Sequence, residues 1–167
     1  MDNYRRLLDE FEGFTRNTTN VKDLMQRLSD RLHEEKTRYN WVGFYFMESP
    51  NRDALVLGPC AGSFAPTLRI PIEKGLCGAA ATSKKSVVVN NVASDPRYLG
   101  SDLVKSNMVA PIILKNRVEA ELCIESYFSD TFDLPEQKFI ESCAAIVARF
   151  MQKDSSTPAF GKSRTLR

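Results

Sequence analysis

The chain has 167 residues, 43% of them hydrophobic, and a formal net charge of +2. That length fits one domain of about 100 to 200 residues, and no run approaches the roughly 20 apolar residues that cross a bilayer. The opening Met1-Asp2-Asn3-Tyr4-Arg5-Arg6 lacks the apolar core of a secretory signal, so a cytoplasmic protein with no membrane partner is expected.

Tyr4, Leu7, Leu8 and Phe11 recur at helical spacing and predict an amphipathic helix that ends around Gly13. Asn20 is placed to cap a second helix, with Asp23 in its first turn and Val21, Leu24, Met25, Leu28 and Leu32 as the apolar stripe. A strand-rich middle follows, with strands predicted over Trp41–Met47, Ala54–Gly58, Leu68–Pro71, Val87–Val89, Met108–Leu114 and Val118–Tyr127. Lys115-Asn116-Arg117 makes a hairpin of the last two. Asp133 and Glu136 form a capping-box-like pair ahead of a final helix whose buried face carries Phe139, Ile140, Cys143, Ile146, Val147 and Phe150. Strands bracketed by helices indicate an α+β domain with an antiparallel sheet, spanning residues 1–152. Residues 153–167 read as a mobile basic tail, where Lys153, Lys162, Arg164 and Arg167 outweigh Asp154. The body is therefore near neutral, which argues against a nucleic-acid partner.

Alternation along Asn40-Trp41-Val42-Gly43-Phe44-Tyr45-Phe46 puts Val42, Phe44 and Phe46 on one face and Trp41, Gly43 and Tyr45 on the other. The second face, an indole, a position without a side chain and a phenol, suits the wall of a pocket for a small guest. On the last strand Glu121, Cys123 and Glu125 share a face, with Glu121 toward the strand's exposed start. Burial beside that wall would raise the pKa of Glu125 and Cys123 unless a guest favours their charged forms. Gly75-Leu76-Cys77-Gly78-Ala79-Ala80 reads as a loop entering a short helix, whose free amides would meet an anion and lower the pKa of Cys77.

Other chemistry finds no support. The single histidine, His33, stands beside Leu32, far along the chain from the candidate pocket, which argues against a Ser-His-Asp or Cys-His nucleophile and against histidine metal ligation. Cys60, Cys77, Cys123 and Cys143 include no Cys-x-x-Cys pair, so reduced thiols and no metal are expected. Neither Gly-x-x-x-x-Gly-Lys nor Gly-x-Gly-x-x-Gly occurs, and no cofactor is expected.

From Asn40 to Phe150 the chain resembles a GAF domain, specifically the free-methionine-(R)-sulfoxide reductase branch. The shared landmarks are Asn40-Trp41-Val42-Gly43-Phe44-Tyr45, Leu55-Val56-Leu57-Gly58-Pro59 with Gly62, Arg69-Ile70-Pro71, Gly75-Leu76-Cys77-Gly78, Pro111, Lys115-Asn116-Arg117 and Phe132-Asp133. The resemblance implies terminal helices on one face of the sheet and a ligand cavity on the other. It also implies three redox cysteines, whose positions fall at Pro66 or Thr67, at Cys77, and, for the essential one, at Gly100 or Ser101. The acidic residues that hold the substrate ammonium in that branch fall at about Asn107, Cys123 and Glu125.

With the attacking thiol missing, the expected function is a non-catalytic, small-molecule-binding sensor. Its cavity is bordered by Trp41, Tyr45, Cys77, Asn107, Cys123 and Glu125. With one carboxylate in place of a cluster, the guest is expected to be a neutral compound or small oxyanion rather than an amino acid. The alternative is an active reductase of free methionine-(R)-sulfoxide, drawing on thioredoxin and using Cys77 and Cys123. Signal output would need a separate signalling protein, and the stripes on the first and last helices would also serve a homodimer.

Overall fold

The structure, a computed structural model, describes residues 2–63 and 66–156. Its elements run α1 (Asp2–Arg16), α2 (Val21–Glu35), β1 (Trp41–Met47), β2 (Ala54–Gly62), β3 (Arg69–Pro71), α3 (Gly75–Ser83), β4 (Val87–Val89), β5 (Ser106–Leu114), β6 (Arg117–Ser126) and α4 (Leu134–Ser156). The six strands form one antiparallel sheet in the order β3-β2-β1-β6-β5-β4. The GAF fold and the α+β class are both realised.

Helices α1, α2 and α4 cover one face. Leu7 and Phe11 of α1, Leu24, Met25, Leu28 and Leu32 of α2, and Phe139, Ile140, Cys143 and Val147 of α4 pack on Val42, Phe44, Met108, Ala110, Leu122 and Ile124. Three details differ from the sequence expectation. α1 runs through Gly13 to Arg16 because Phe14 also packs on this core, which outweighs the glycine's cost to a helix of about 1 kcal/mol. β2 continues past Gly58 to Gly62 because the pairing with β1 shifts register between Gly43 and Tyr45, and Pro59 falls in that irregularity. α4 continues to Ser156, and the rest of the expected tail, 157–167, lies outside the described residues.

Local signals shape the ends. Asn20 Oδ1 accepts the Asp23 amide at 2.8 Å and caps α2. Lys115 and Asn116 form the β5–β6 turn with φ of 49° and 62°, the left-handed pair whose twist suits a two-residue hairpin. Asp133 Oδ1 accepts the Glu136 amide at 2.9 Å at the start of α4. The reciprocal half of the capping box is missing because the Glu136 carboxylate is engaged elsewhere. It accepts from Tyr4 and Lys36, each at 2.7 Å, and from Tyr39. That network joins α1, the connection after α2 and α4 behind the sheet.

The other face carries a second core: Trp41, Tyr45, Leu55, Val109 and Cys123 from the strands, with Leu76, Cys77, Ala80 and Ala81 from α3 laid over them. α3 folds back tightly on the connection that leads into it because Gly78 has no side chain; a Cβ there would stand 2.4 Å from the Ile72 carbonyl oxygen. Among the described residues no helix is long and apolar enough to cross a membrane.

Candidate functional site

On the face away from the terminal helices lies a cavity of about 380 Å³, lined by Trp41, Tyr45, Cys77, Asn107, Cys123 and Glu125 among others. All six sequence-derived residues thus meet at one hollow. Cross-strand register explains why. Trp41, Glu125 and Asn107 stand abreast on β1, β6 and β5; Gly43, Cys123 and Val109 form the next row; Tyr45, Glu121 and Pro111 form the third. Neighbours in such a row lie about 5 Å apart, so one pleat parity aims all these side chains the same way.

Gly43 is not an empty place in the wall. The Trp41 ring folds over it, so that a Cβ on Gly43 would lie 2.3 Å from the indole. The indole is 2% exposed and stands 6.1 Å from the Tyr45 ring, centroid to centroid. The Tyr45 hydroxyl donates to the Thr67 carbonyl at 2.9 Å and so ties the β2–β3 connection to the cavity. Burial, followed by the neighbouring Cys123 and Cys77, pushes that phenol well above its ordinary value.

At the inner end Asn107 Nδ2 donates to Glu125 Oε1 at 3.0 Å and reaches Cys123 Sγ at 4.0 Å. Tyr98, from the long connection before β5, donates to the same Glu125 oxygen at 3.5 Å. Burial raises Glu125 to about 7, against the opposing pull of those two hydrogen bonds, so at neutral pH the carboxyl is divided between its two forms. Asn107 is 3% exposed, and its Oδ1 has no hydrogen-bond partner.

Glu121 corrects the sequence reading. It is not at an exposed strand start but 0% exposed, with neither carboxyl oxygen hydrogen-bonded, because α3 crosses directly over it. Burial, and then the adjoining Cys77, holds it well above the usual carboxylate range. Cys77 is corrected too. A helix N-terminal thiol is expected to have a lowered pKa; in the structure the neighbouring Cys123 and burial push it up instead. The neighbouring Cys77 favours the Cys123 thiolate, but burial and the Glu125 and Glu121 carboxyls leave that thiol raised as well.

The mouth is bordered by exposed Arg69, Lys74 and Leu99, with Pro66, Thr67, Gly100 and Ser101 also lining it. The sequence reading missed Tyr98 and Lys74, which no motif marks, and named Arg69 only as part of the Arg69-Ile70-Pro71 landmark. Lys74 precedes α3 and offers no side-chain cap, which leaves the first amides of Gly75, Leu76 and Cys77 available to an acceptor at the cavity edge. The remaining sulfurs lie elsewhere. Cys60 sits beside Gly43 on β2, and Cys143 is buried behind the sheet. His33 binds the Tyr39 carbonyl at 2.7 Å, also outside the cavity. Among the described residues no group of three or more His, Cys, Asp or Glu is arranged to hold a metal.

Comparison with known proteins agrees with this architecture. The GAF domain model matches residues 20–150. Free methionine-R-sulfoxide reductase of Escherichia coli is 32% identical over 124 residues, 74% of this chain and 73% of that protein. Protein YtsP of Bacillus subtilis is 30% identical over 142 residues, 84% of this chain and 86% of that one. The structure of free methionine-R-sulfoxide reductase from Neisseria meningitidis in complex with its substrate superposes with a TM-score of 0.86 at 28% identity, covering 93% of this chain and 92% of that one. On the match of its sequence model and the agreement of the folds, this chain belongs to the GAF domain family and is related within it to the free methionine-R-sulfoxide reductases.

Proposed function

We propose that the cavity is a receptor site for a small molecule and that the chain senses this guest without reducing it. The observation that carries the reading is Asn107. Its Oδ1 is buried beside the cavity with no donor, a vacancy that costs about 1–3 kcal/mol and that a guest N–H or O–H would fill. Beside it stands one half-ionised carboxyl, Glu125, rather than a group of carboxylates, which suits a neutral donor better than an ammonium. At the opposite end the free α3 amides, with Lys74, suit an acceptor or anionic group. The guest is therefore a neutral compound or small oxyanion with a donor at one end.

The wall itself speaks against turnover. Pro66, Thr67, Gly100 and Ser101 line the cavity at the places where the resemblance puts two of the three redox thiols, and none carries sulfur. Sulfoxide reduction needs a thiolate to attack sulfur and a second thiol to resolve the product. One observation favours a second reading, an active reductase: Cys77 and Cys123 both line the cavity. A thioredoxin-coupled assay with free methionine-(R)-sulfoxide separates the two. No turnover, together with a raised melting temperature on adding one member of a panel of neutral metabolites and small oxyanions, is the expected result. Turnover that disappears in Cys123→Ser would overturn the receptor reading. In the cytoplasm, the proposed setting, the signal would pass to a separate signalling protein, with a homodimer as the binding unit.

A further inference from the structure

The connection between β4 and β5 covers one side of the cavity. Its residues Tyr98, Leu99, Gly100 and Ser101 line the hollow, while Leu99 and Leu103 are 66% and 62% exposed. From Pro96 to Leu103 the hydrogen bonds stay within three residues: the Arg97 amide and guanidinium to Asp95, the Tyr98 amide to the Asp95 carbonyl at 3.3 Å, and the Leu103 amide to Ser101 Oγ at 3.2 Å. Among the described residues there is one exception, from the Tyr98 hydroxyl to Glu125 Oε1 at 3.5 Å. The ends, by contrast, are fixed. The Val92 amide donates to the Lys105 carbonyl at 2.9 Å, the Lys105 amide donates to the Ser126 carbonyl at 2.8 Å, and Val104 is buried. We propose that residues 96–103 are a lid on the cavity, clipped down by Tyr98 when Glu125 is a carboxylate and released when Glu125 takes up a proton. The lid controls entry whatever the cavity then does with its guest, receptor or reductase.

The clip has two positions. A phenol has one proton to donate, and the Tyr98 hydroxyl has two acceptors: Glu125 Oε1 at 3.5 Å and, within its own segment, the Ser101 carbonyl at 3.3 Å. A carboxylate draws that proton across, because a hydrogen bond to a charged acceptor is about twice as strong as one between neutral groups. A neutral carboxyl has no such advantage over the nearer carbonyl, and the hydroxyl turns back to Ser101. Burial, followed by Glu125, holds the phenol well above its ordinary value, so Tyr98 stays a donor throughout. Gly100 makes room for the ring, since a Cβ there would stand 2.2 Å from the Tyr98 hydroxyl.

Glu125 titrates alone on this wall. It faces Asn107 on β5, Tyr98 on the lid, Cys123 on its own strand, Trp41 and Tyr45 on β1, and Cys77 on α3. Tyr45, Cys77 and Cys123 are all raised, so each stays neutral where Glu125 changes charge. Arg69 and Lys74 stand at the mouth, and Glu121 lies four strand residues away beneath α3. Beside the lid Asp95 is paired with Arg97, and on it Asp102 is exposed. Burial raises Glu125 to about 7, which sets the clip to switch near neutral pH.

Trp41 is the single tryptophan, lines the cavity and is 2% exposed, so collisional quenching of its fluorescence by acrylamide reports lid opening. In the full chain the quenching rate constant, taken from fluorescence lifetimes, should rise severalfold as pH falls from about 8.5 to about 5.5, with its midpoint at about 7. Glu125→Gln should abolish that step. Tyr98→Phe should be quenched as fast at the upper pH as the wild type is at the lower, and Gly100→Ala, whose methyl displaces the Tyr98 hydroxyl, should behave like it. A wild-type constant that does not change with pH, or a step that persists in Glu125→Gln or Tyr98→Phe, would overturn the proposal. Acrylamide is itself the probe, so a cavity that binds nothing from the metabolite panel leaves the outcome readable.

Discussion

Replacing Glu125 by Gln tests the electrostatics of the cavity directly. In the unfolded chain this carboxyl ionises near its ordinary value of 4.5, and in the folded one near 7, because burial outweighs the hydrogen bonds from Asn107 and Tyr98. The folded pKa is the higher, so between those values the native state holds a proton that the unfolded state has released. Stability from this group is therefore fully present below about pH 4.5 and is lost as pH rises through about 7. The span corresponds to about 3 kcal/mol, at roughly 1.4 kcal/mol for each tenfold change in proton binding. Glutamine keeps the size and an acceptor oxygen for Asn107, and it has no proton to lose.

Urea unfolding of both proteins between about pH 5 and about pH 8 should show the stability gap moving by about 2.5 kcal/mol in favour of the variant. Glu121 contributes the same sign of pH dependence, but four strand residues separate it from Glu125, about 13 Å, so its share cancels in the difference. Parallel pH profiles would refute the assignment of a buried, half-ionised carboxyl at position 125.

Two further substitutions probe the two faces of the sheet. Gly43→Ala should destabilise by about 1–3 kcal/mol, because its methyl would meet the Trp41 ring at 2.3 Å, and it should shift Trp41 emission to the red; unchanged stability and emission would mean that the indole does not lie over Gly43. Glu136→Gln, on the helix-covered face, removes the charged partner of Lys36 and one of the two oxygens that accept from Tyr4 and Tyr39, and should cost about 3–5 kcal/mol in denaturant unfolding while Trp41 emission stays unchanged. A loss under about 1 kcal/mol would show that the network is not coupled to folding.

Much of this arrangement was legible from alternation alone. A period of two cannot misplace one residue of Trp41–Met47 without misplacing all, and so Val42 and Phe44 join the helix-packed core while Trp41 and Tyr45 turn to the cavity. The failures have a common cause. Glu121 is expected at the strand's exposed start because parity gives a side chain's face and not what covers that face; the cover is α3, whose Cys77 adjoins it. Cys77 was assigned a lowered pKa from its place at a helix start, but the thiol and the carboxyl opposite it belong to β6, 44 to 46 positions on. Tyr98 reaches Glu125 from an irregular connection, where no period exists to read. The extension of β2 through Pro59 follows from a register shift that only its partner strand determines.

The distribution of unsatisfied polar groups separates packing from function. Among the described residues the buried side-chain atoms without a hydrogen bond are Ser29 Oγ on α2, Asn107 Oδ1 and both oxygens of Glu121. Asn107 and Glu121 point to the cavity side, on strands whose opposite faces carry Met108, Ala110, Leu122 and Ile124. Each unpaired group costs about 1–3 kcal/mol, so these two positions oppose folding while their neighbours one residue away support it. Tertiary context cannot account for the contrast, since the same two strands supply both faces, and where packing alone decides they supply only apolar side chains. A chain selected merely to fold would carry an aliphatic residue at 121, beneath α3 and out of reach of water. Keeping a neutral carboxyl there, against Cys77 and on the cavity face of β6, marks position 121 as one where the sequence gives up stability for the chemistry of that face.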